Sequence, residues 1–172
     1  LAEKGYMGDS LLLNVQRITS CASFARMSGV QLPVMTTTGS GNQGITLILT
    51  IAATAMELKI PEDKMLRAIA FAQAINLYAK HYLGTLSCLC SCSVASGLSA
   101  SAGIVYMMGG SNQQVLDTMR NVLGSISGMI CDGAKEGCAS KVCLSTGLSV
   151  MSAMMALNGM STKPASRRAK RS

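Results

Sequence analysis

The chain has 172 residues, 49% of them hydrophobic, yet only 3% are aromatic and tryptophan is absent. A core of alanine, aliphatic residues and 13 methionines favours closely packed helices over a β-sandwich, which usually relies on aromatic and β-branched residues. The net charge of +7 does not indicate a nucleic-acid partner, because five of the 15 basic residues lie in the final segment, with no aromatic side chains beside them to stack on bases (Lys163, Arg167, Arg168, Lys170 and Arg171).

Hydrophobic spacing and helix-end residues predict six helices along the chain. Asp9 is a good N-cap for the first helix, and Pro33 favours an extended segment after it. Pro61 suits the first position of the third helix, where two acidic residues in the first turn complement the helix dipole. The predicted helices cover residues 11–27, about 44–59, 61–83, 93–108, 111–129 and about 139–157. The expected fold class is therefore all-α, a compact bundle of about six helices.

Glycines inside these predicted helices indicate how the bundle packs. Each costs up to about 1 kcal/mol relative to alanine, and close approach of a neighbouring helix is the usual compensation. We therefore expect the helices to pack through small residues at these positions (Gly97, Gly103, Gly124, Gly128 and Gly147).

The ends of the chain suggest how it is organised. Residues 1–160 are predicted to form one domain, and residues 161–172 a disordered basic tail. The chain begins with leucine and enters a helix within a few residues, so we expect an N-terminal part of the native protein to be missing. No signal peptide is visible, and the most apolar run, 45–56, is shorter than the roughly 20 residues that cross a bilayer. These features predict a cytoplasmic protein with no membrane partner, and its Met-rich, weakly charged surface is compatible with a homo-oligomer.

Three features point to chemistry, and the first is the glycine-rich stretch T-G-S-G-N-Q-G-I at 38–45. Its glycines leave backbone N–H groups uncovered beside the positive end of the following helix, which suits a carboxylate or phosphate. The glycine spacing fits neither a dinucleotide fingerprint nor a phosphate loop. A purely structural turn with side-chain caps explains the pattern equally well.

The second feature is a set of seven cysteines. In a cytoplasmic protein they do not indicate a disulfide framework. Cys21 and Cys143 fall on helix patterns and suit packing. The others gather in two predicted loops (Cys88, Cys90 and Cys92; Cys131 and Cys138), where thiols beside glycine suit zinc or iron–sulfur ligation. Without a repeated C-x-x-C, a zinc ribbon is disfavoured, although a structural zinc protein stays open as an alternative.

The third feature is K-H-Y at 80–82, which holds the only histidine. A histidine near a helix end more often satisfies the last carbonyls than acts as a base, so His81 is a candidate catalytic residue without support from spacing. A single histidine also excludes a confident Ser-His-Asp set. Asp132 and Glu136, four residues apart, are interpreted as trimming local charge.

Three motifs in this order resemble the serine dehydratase alpha-chain-like family, especially its branch of L-cysteine desulfidase and uncharacterised bacterial proteins. They are T-T-T-G-S-G-N-Q-G-I at 36–45, K-H-Y-L-G-T-L-S-C-L-C-S-C-S-V-A-S-G at 80–97 and M-I-C-D-G-A-K-E-G-C-A-S-K at 129–141. The resemblance covers nearly all of the chain except its tail. It implies an all-α catalytic domain with an oxygen-sensitive 4Fe-4S cluster, which eliminates hydroxide or thiol from a small L-amino acid to give pyruvate and ammonia.

The resemblance also implies roles for individual residues. Cys92 resembles the first cluster cysteine, with Cys90 as its fallback, and Cys131 resembles the second. Cys138 would be the third ligand, although the gap between the last two cysteines is longer in the serine dehydratases. The substrate loop would be Ser40, Gly41, Asn42, Gln43 and Gly44, which suits the carboxylate of an amino-acid substrate.

Family chains are considerably longer, and the missing part is expected to carry a cluster ligand, the catalytic base or both. The isolated chain is therefore predicted to show weak or absent activity. The alternative from another functional class is a non-catalytic module of the same fold that binds a small carboxylate or amino acid. Nothing in the sequence separates serine from cysteine as the substrate.

Overall fold

The computed structural model describes residues 4–6, 8–84 and 87–162. The elements are α1 (Leu11–Met27), α2 (Gly41–Gly44), a π-helical turn (Ile45–Leu49), α3 (Thr50–Glu57), α4 (Glu62–Leu83), α5 (Val94–Met107), α6 (Asn112–Ile126) and α7 (Cys138–Leu157). Since α2, the π turn and α3 follow one another without a break, the described residues form six helical segments. The prediction of an all-α bundle of about six helices is confirmed. The predicted disordered tail falls mostly on 163–172, which lie outside the described residues.

The first helix begins at Leu11 as predicted, and the other five helical segments begin one to three residues away from their predicted starts. The N-cap of α1 is Ser10, whose hydroxyl accepts a hydrogen bond from the N–H of Leu13 at 3.3 Å. Asp9 was the wrong prediction, because its carboxylate instead accepts from the Asn14 amide at 2.8 Å. The second helical segment begins at Gly41 and not at Gly44, since Ser40 caps it. The glycine-rich stretch is therefore partly helical.

The central element is α5, which packs against α4, α6 and α7 and is buried along almost its whole length. Glycine allows these close approaches. A Cβ atom built on Gly97 would lie 2.2 Å from the Ser145 hydroxyl, and one on Gly103 would lie 2.5 Å from Ile51 Cδ1. On α7, a Cβ atom at Gly147 would lie 2.3 Å from the Gln16 amide. Packing through small residues is thus confirmed at these three positions.

The same expectation is wrong at two glycines of the α6 end. A Cβ atom on Gly124 would meet only Thr162, at an ordinary 3.6 Å, and one on Gly128 would meet nothing within 4 Å. Gly128 in fact lies beyond the last residue of α6, Ile126. In the described part of the chain, no neighbouring helix comes within 4 Å of a Cβ atom built at either position. These two glycines are therefore not needed for packing.

Buried hydroxyl groups fix the register of α7 against α5. Ser145 donates to the Ser93 carbonyl at 2.7 Å, and Ser149 donates to the Gly97 carbonyl at 2.9 Å. Ser93 in turn donates to the Lys141 carbonyl at 3.2 Å. Because the last of these bonds joins Ser93, the N-cap of α5, to the first turn of α7, the N-termini of the two helices lie close together.

A short antiparallel bridge ties the connection before α5 to the connection before α7. Leu89 pairs with Ile130, and two backbone hydrogen bonds of 2.8 Å flank the pair, from Cys90 N–H to the Met129 carbonyl and from Cys131 N–H to the Cys88 carbonyl. The bridge brings both cysteine-bearing loops to one end of the bundle.

In the described residues, α7 is the one helix long and apolar enough to cross a membrane by length and composition alone. Half of that apolar stretch is buried inside the fold, where α7 packs on α1, α5 and α6. A single such helix is weak support for a membrane span, because the core helix of a soluble protein has the same properties.

Candidate functional site

The glycine turn, residues 37–44, reverses the chain and then starts a helix. Thr37 and Ser40 exchange two backbone hydrogen bonds, of 3.3 and 3.0 Å, around the central residues Thr38 and Gly39. Both central residues have positive φ, 48° and 81°, which is the pattern of a type I′ turn. Glycine adopts that conformation readily, but a β-branched threonine does so at a cost, and such strain concentrates at functional sites.

The other two glycines of the glycine turn are required by close neighbours. A Cβ atom on Gly41 would lie 2.4 Å from Nε of Arg26, and one on Gly44 would lie 1.8 Å from the carbonyl oxygen of Met35. The second approach involves backbone, which has no room to yield. The three glycines therefore have three separate structural reasons, and the structural interpretation of this stretch is correct as far as the glycines themselves are concerned.

The side chains of Asn42 and Gln43 point into the protein, where they are only 3% and 4% exposed. The Asn42 carbonyl accepts from Ser23 and Arg26, both at 3.4 Å, and the Gln43 carbonyl accepts from Thr38 at 2.7 Å. Their amides thus hold the turn in place. The groups that remain suited to an anion are the hydroxyl of Ser40 and the first backbone N–H groups of the helix, which by geometry have no partner one turn earlier.

Asn76 of α4 contacts the glycine turn from the protein interior. It is fully buried, and its amide nitrogen lies 3.2 Å from the Thr37 hydroxyl, 3.4 Å from the Thr38 hydroxyl and 3.4 Å from the Gln43 carbonyl. Its carbonyl accepts from Ser96 of α5 at 3.5 Å. One asparagine therefore connects the strained turn to two helices of the core.

The glycine turn meets the cysteines at a single contact. The hydroxyl oxygen of Ser40 lies 3.8 Å from the sulfur of Cys92. The two features that the sequence singled out separately, 52 residues apart, consequently lie side by side.

The cysteine region, residues 88–92 and 129–138, holds five of the thiols. Cys90 is buried and Cys92 half-buried. A hydrogen bond with Cys92, supported by Ser93 and the ammonium group of Lys141, outweighs burial and lowers the pKa of Cys90 to about 5. The hydrogen bond with Cys90, together with burial, raises the pKa of Cys92. The titrations of the two thiols are therefore coupled, and their pKa values move in opposite directions.

Positive charge accompanies the second part of the cysteine region. Lys141, in the first turn of α7, donates to the Ile130 carbonyl at 2.9 Å and forms an ion pair with Asp132. Hydrogen bonds from Lys135 and then Lys141 hold the pKa of Asp132 below its usual range. The interpretation of Asp132 as a local charge partner fits this arrangement. Glu136 has no ion pair with a described residue.

Cys138 is the first residue of α7, and its thiol lies 3.6 Å from the Gly133 carbonyl oxygen. The smallest of the contributions that raise the pKa of Cys92 is an electrostatic one from Cys138, which puts the two thiols in the same region. The positive end of α7 therefore faces the cysteine region, which favours thiolates there.

In the part of the chain that the structure describes, no three His, Cys, Asp or Glu side chains are gathered closely enough to hold one metal ion. Cysteine thiolates are the ligands that a 4Fe-4S cluster takes in proteins. The donor chemistry of Cys92, Cys131 and Cys138 fits such a cluster, with helix N-termini and Lys141 to balance its negative charge. Their assignment as ligands stays a prediction.

The candidate base His81 is placed near the glycine turn. It lines a shallow depression of about 350 Å³ together with Thr38, Leu77 and Lys80. Lys80 is only 8% exposed, and its ammonium group donates to the Ser91 hydroxyl at 3.3 Å. Ser91 is the residue before Cys92. The end of α4 therefore spans the distance between the two halves of the site.

A second cavity, of about 310 Å³, lies beside the same helix start but differs in character. Its lining is almost entirely aliphatic and comes from α1, the extended segment and the π turn, with Gly44 and Arg26 at its edge. An apolar lining offers few partners for the polar groups of a small amino acid. This cavity is therefore not counted with the site.

Sequence reasoning missed Asn76, Lys80 and Lys141. The sequence does carry a signal for Asn76 and Lys80. They continue the four-residue spacing of Ala68 and Ala72, which marks the buried face of the predicted helix. A buried amide or ammonium group needs partners, and such networks often belong to sites. Lys141 lies three residues after Cys138 on α7, but its proximity to Cys90 depends on tertiary structure, through the bridge between residues 89 and 130.

The fold and the site define a class: an all-helical domain with a thiol cluster at helix N-termini beside an anion-suited turn. Comparison with known proteins gives the family. The sequence profile of the serine dehydratase alpha chain matches residues 3–169, and the chain belongs to that family.

Its curated relatives carry the name UPF0597 protein. The protein from Alkaliphilus metalliredigens is 46% identical over 91% of this chain and 35% of its own length. Those from Clostridium tetani and Oleidesulfovibrio alaskensis are 47% and 45% identical, over 83% and 91% of this chain and 34% and 36% of their own lengths. This chain thus spans about a third of the length of the curated relatives it matches. No solved structure matches it.

Proposed function

We propose that this chain is the cluster-holding domain of an iron–sulfur-dependent amino-acid lyase of the L-cysteine desulfidase or L-serine ammonia-lyase type. The enzyme eliminates hydrogen sulfide or water from L-cysteine or L-serine, and the resulting enamine tautomerises and hydrolyses to pyruvate and ammonia. The observation that carries the proposal is the 3.8 Å contact between Ser40 and Cys92, because it joins an anion-suited turn to a thiol cluster. Family membership supports the reaction class.

A 4Fe-4S cluster held by Cys92, Cys131 and Cys138 would supply a Lewis-acidic iron for the leaving hydroxyl or thiol. The chain's own residues do the rest. The hydroxyl of Ser40 and the first backbone N–H groups of α2 bind the substrate carboxylate, with Gly41 allowing close approach. Asn76 keeps the turn rigid, so that this recognition needs no reorganisation when the substrate arrives.

Proton removal from the substrate α-carbon needs a base near the carboxylate. Among the described residues, His81 is the candidate, since it shares a depression with Thr38 of the glycine turn. Lys80, in the same depression, adds positive charge beside Ser91 and so favours the anionic substrate.

The first experiment is to purify the chain without oxygen, reconstitute it with iron and sulfide, and count both per chain. We expect about four of each, with loss in the Cys92→Ser variant and retention in the Cys21→Ser variant, whose exposed thiol lies on α1. An absence of cluster in the wild-type chain and in a longer family member with the same cysteines would overturn the proposal.

Turnover is a separate test. Because the chain spans about a third of its relatives' length, we expect weak or absent release of pyruvate from L-cysteine and L-serine by the chain alone. Clear turnover by the pure chain would contradict that expectation, while leaving the cluster proposal intact.

A second function is supported by the groups of the glycine turn that suit an anion and by the lack of three converging metal ligands among the described side chains. It is a non-catalytic module that binds a small carboxylate or amino acid at Ser40. Binding of L-serine by a chain that takes up no iron would favour this function over the lyase.

The free thiols support a reducing compartment for the protein. All seven cysteines are unpaired in the structure. Such a set persists in the cytoplasm, where thiols are kept reduced, and we propose that location for the enzyme.

A further inference from the structure

Cys88 and Cys131 face each other across the bridge of the cysteine region. Leu89 pairs with Ile130 in antiparallel register, and the N–H of Cys131 donates to the carbonyl of Cys88 at 2.8 Å. In an antiparallel pair this register sets Cys88 directly opposite Cys131, with both side chains on the same face. Neither cysteine's partner follows from the sequence, since 42 residues separate them.

The geometry of such a pair suits a disulfide. Directly opposed residues of an antiparallel pair have Cα atoms about 4.5–5.5 Å apart, inside the range of about 4.4–6.8 Å that disulfides span. Both cysteines are free and exposed, so that a small oxidant reaches them. Their neighbour Cys90 is less suited to a disulfide, because it is buried and the residue opposite it is Met129.

We propose that Cys88 and Cys131 are a redox modification site, at which a small disulfide such as glutathione disulfide converts the two thiols into one disulfide. The thiolate of one cysteine attacks a sulfur of glutathione disulfide and releases one glutathione. The second cysteine then attacks the protein sulfur of the mixed disulfide and releases the other glutathione. The two protein sulfurs lose two electrons, glutathione disulfide gains them, and the two thiol protons end on the two released glutathiones.

The bond is expected to be reversible. It would link two connections that only an isolated bridge holds together, and it would lie at the surface. Exposed disulfides of this kind are more easily reduced than structural ones.

The consequence for the site rests on the proposed function. Cys131 in a disulfide has no thiolate to offer a cluster, so oxidation of the cluster-free chain would block reloading until the bond is reduced. Cys88 would then protect Cys131 from irreversible oxidation while the cluster is absent.

The test uses the metal-free full chain, so that its result does not depend on a cluster. The reduced chain is equilibrated with glutathione and glutathione disulfide at several ratios, alkylated and cut with trypsin. Cleavage after Lys80, Arg120 and Lys135 leaves Cys131 as the only cysteine of peptide 121–135 and leaves Cys88 in peptide 81–120. We expect mass spectrometry to show these two peptides cross-linked, with loss of two of the seven thiols.

Variants assign the bond. The cross-link should fall at least tenfold in Cys88→Ser and persist in Cys90→Ser, Cys92→Ser and Cys21→Ser. In Cys88→Ser, Cys131 should hold glutathione as a mixed disulfide, because the second thiol is absent. The proposal is overturned if no cross-link forms at the most oxidising ratio, or if it survives in Cys88→Ser. Serine is nearly isosteric and Cys88 is exposed, so circular dichroism of this variant should match the wild type.

Failure of this test and failure of the proposed function give different results. A chain that forms the cross-link but never takes up iron keeps the modification site and loses the lyase. A chain that binds a cluster but never forms the cross-link does the reverse.

Discussion

The glycine turn and the cysteine region touch at Ser40 and Cys92, yet they are held in place in opposite ways. The glycine turn is buried except at residues 38–40, its side-chain amides are paired, and Asn76 ties it to α4 and α5. The cysteine region has exposed thiols and an isolated two-residue bridge. A carboxylate is recognised best by groups fixed beforehand, whereas a thiol set gains its order from what it binds. We therefore expect substitutions in the glycine turn to change the free energy of unfolding strongly. Substitutions in the cysteine region should have effects that depend on what the thiols bind.

The largest effect is expected from Gly44→Ala in the glycine turn. The new Cβ atom would lie 1.8 Å from the Met35 carbonyl oxygen, and backbone must move to admit it. We expect a loss of about 3 kcal/mol in the free energy of unfolding, measured by urea denaturation. Gly128→Ala is the matched control, since its Cβ atom meets nothing within 4 Å. Similar stability of the two variants would show that the turn is not tightly held.

Asn76→Ala should have the next largest effect. It removes a fully buried amide and leaves the hydroxyls of Thr37 and Thr38 and the carbonyl of Gln43 with fewer partners. An unsatisfied buried polar group costs about 1–3 kcal/mol, and we expect a loss in that range. Gln113→Ala is the control, because its amide bonds Asp117 at the surface. A loss equal to that of the control would mean that the network does not support the turn.

The cysteine region should reveal itself through pH. The pKa of Cys90 is lowered to about 5 from the ordinary thiol value of 9.0, so the folded state holds a thiolate where the unfolded state holds a thiol. The unfolded chain binds more protons between these values, and this contribution to stability is complete above about pH 9 and lost as the pH falls through about 5. The raised pKa of Cys92 acts in the opposite sense above pH 9.

The measurement is the unfolding free energy of the metal-free chain between pH 5.5 and pH 8. This window lies between the folded-state pKa of Cys90, about 5, and its ordinary value of 9.0. We expect the unfolding free energy to rise less steeply with pH in Cys90→Ser than in wild type, and Cys21→Ser to keep the wild-type slope. Equal slopes in all three proteins would contradict a thiolate at Cys90.

The smallest effect is expected where the two regions meet. Ser40→Ala removes the N-cap of α2, which typically costs about 1 kcal/mol. Its hydroxyl lies at the long distance of 3.5 Å from the Gln43 N–H, so we expect a loss at the lower end of the usual range. Ser40→Gly is the control, because glycine at an N-cap costs only a few tenths of a kcal/mol relative to serine. A loss well above 1 kcal/mol would mean that Ser40 also stabilises the fold through Cys92.

Much of the fold could be predicted because the relevant signals are local. Helix periodicity, N-caps and the low aromatic content specify six helices without reference to tertiary contacts. The capping error at Asp9 arose because the adjacent Ser10 is an equally suitable cap, and the start at Gly44 was three residues late because Ser40 caps the helix at Gly41. The glycines at 97, 103 and 147 were recognised as packing positions because a glycine inside a helix needs compensation.

The candidate site divides along the same line. The sequence by itself determined the family, through motif order, and the residue types that suit a thiol cluster and an anion turn. It did not determine that Asn42 and Gln43 turn inward, that Lys80 and Lys141 approach the cysteines, or that Cys88 faces Cys131. Those facts were decided by tertiary structure, because a two-residue bridge and a few buried hydrogen bonds join segments that are tens of residues apart. Pairing at such distances depends on how whole helices pack, and no local pattern encodes it.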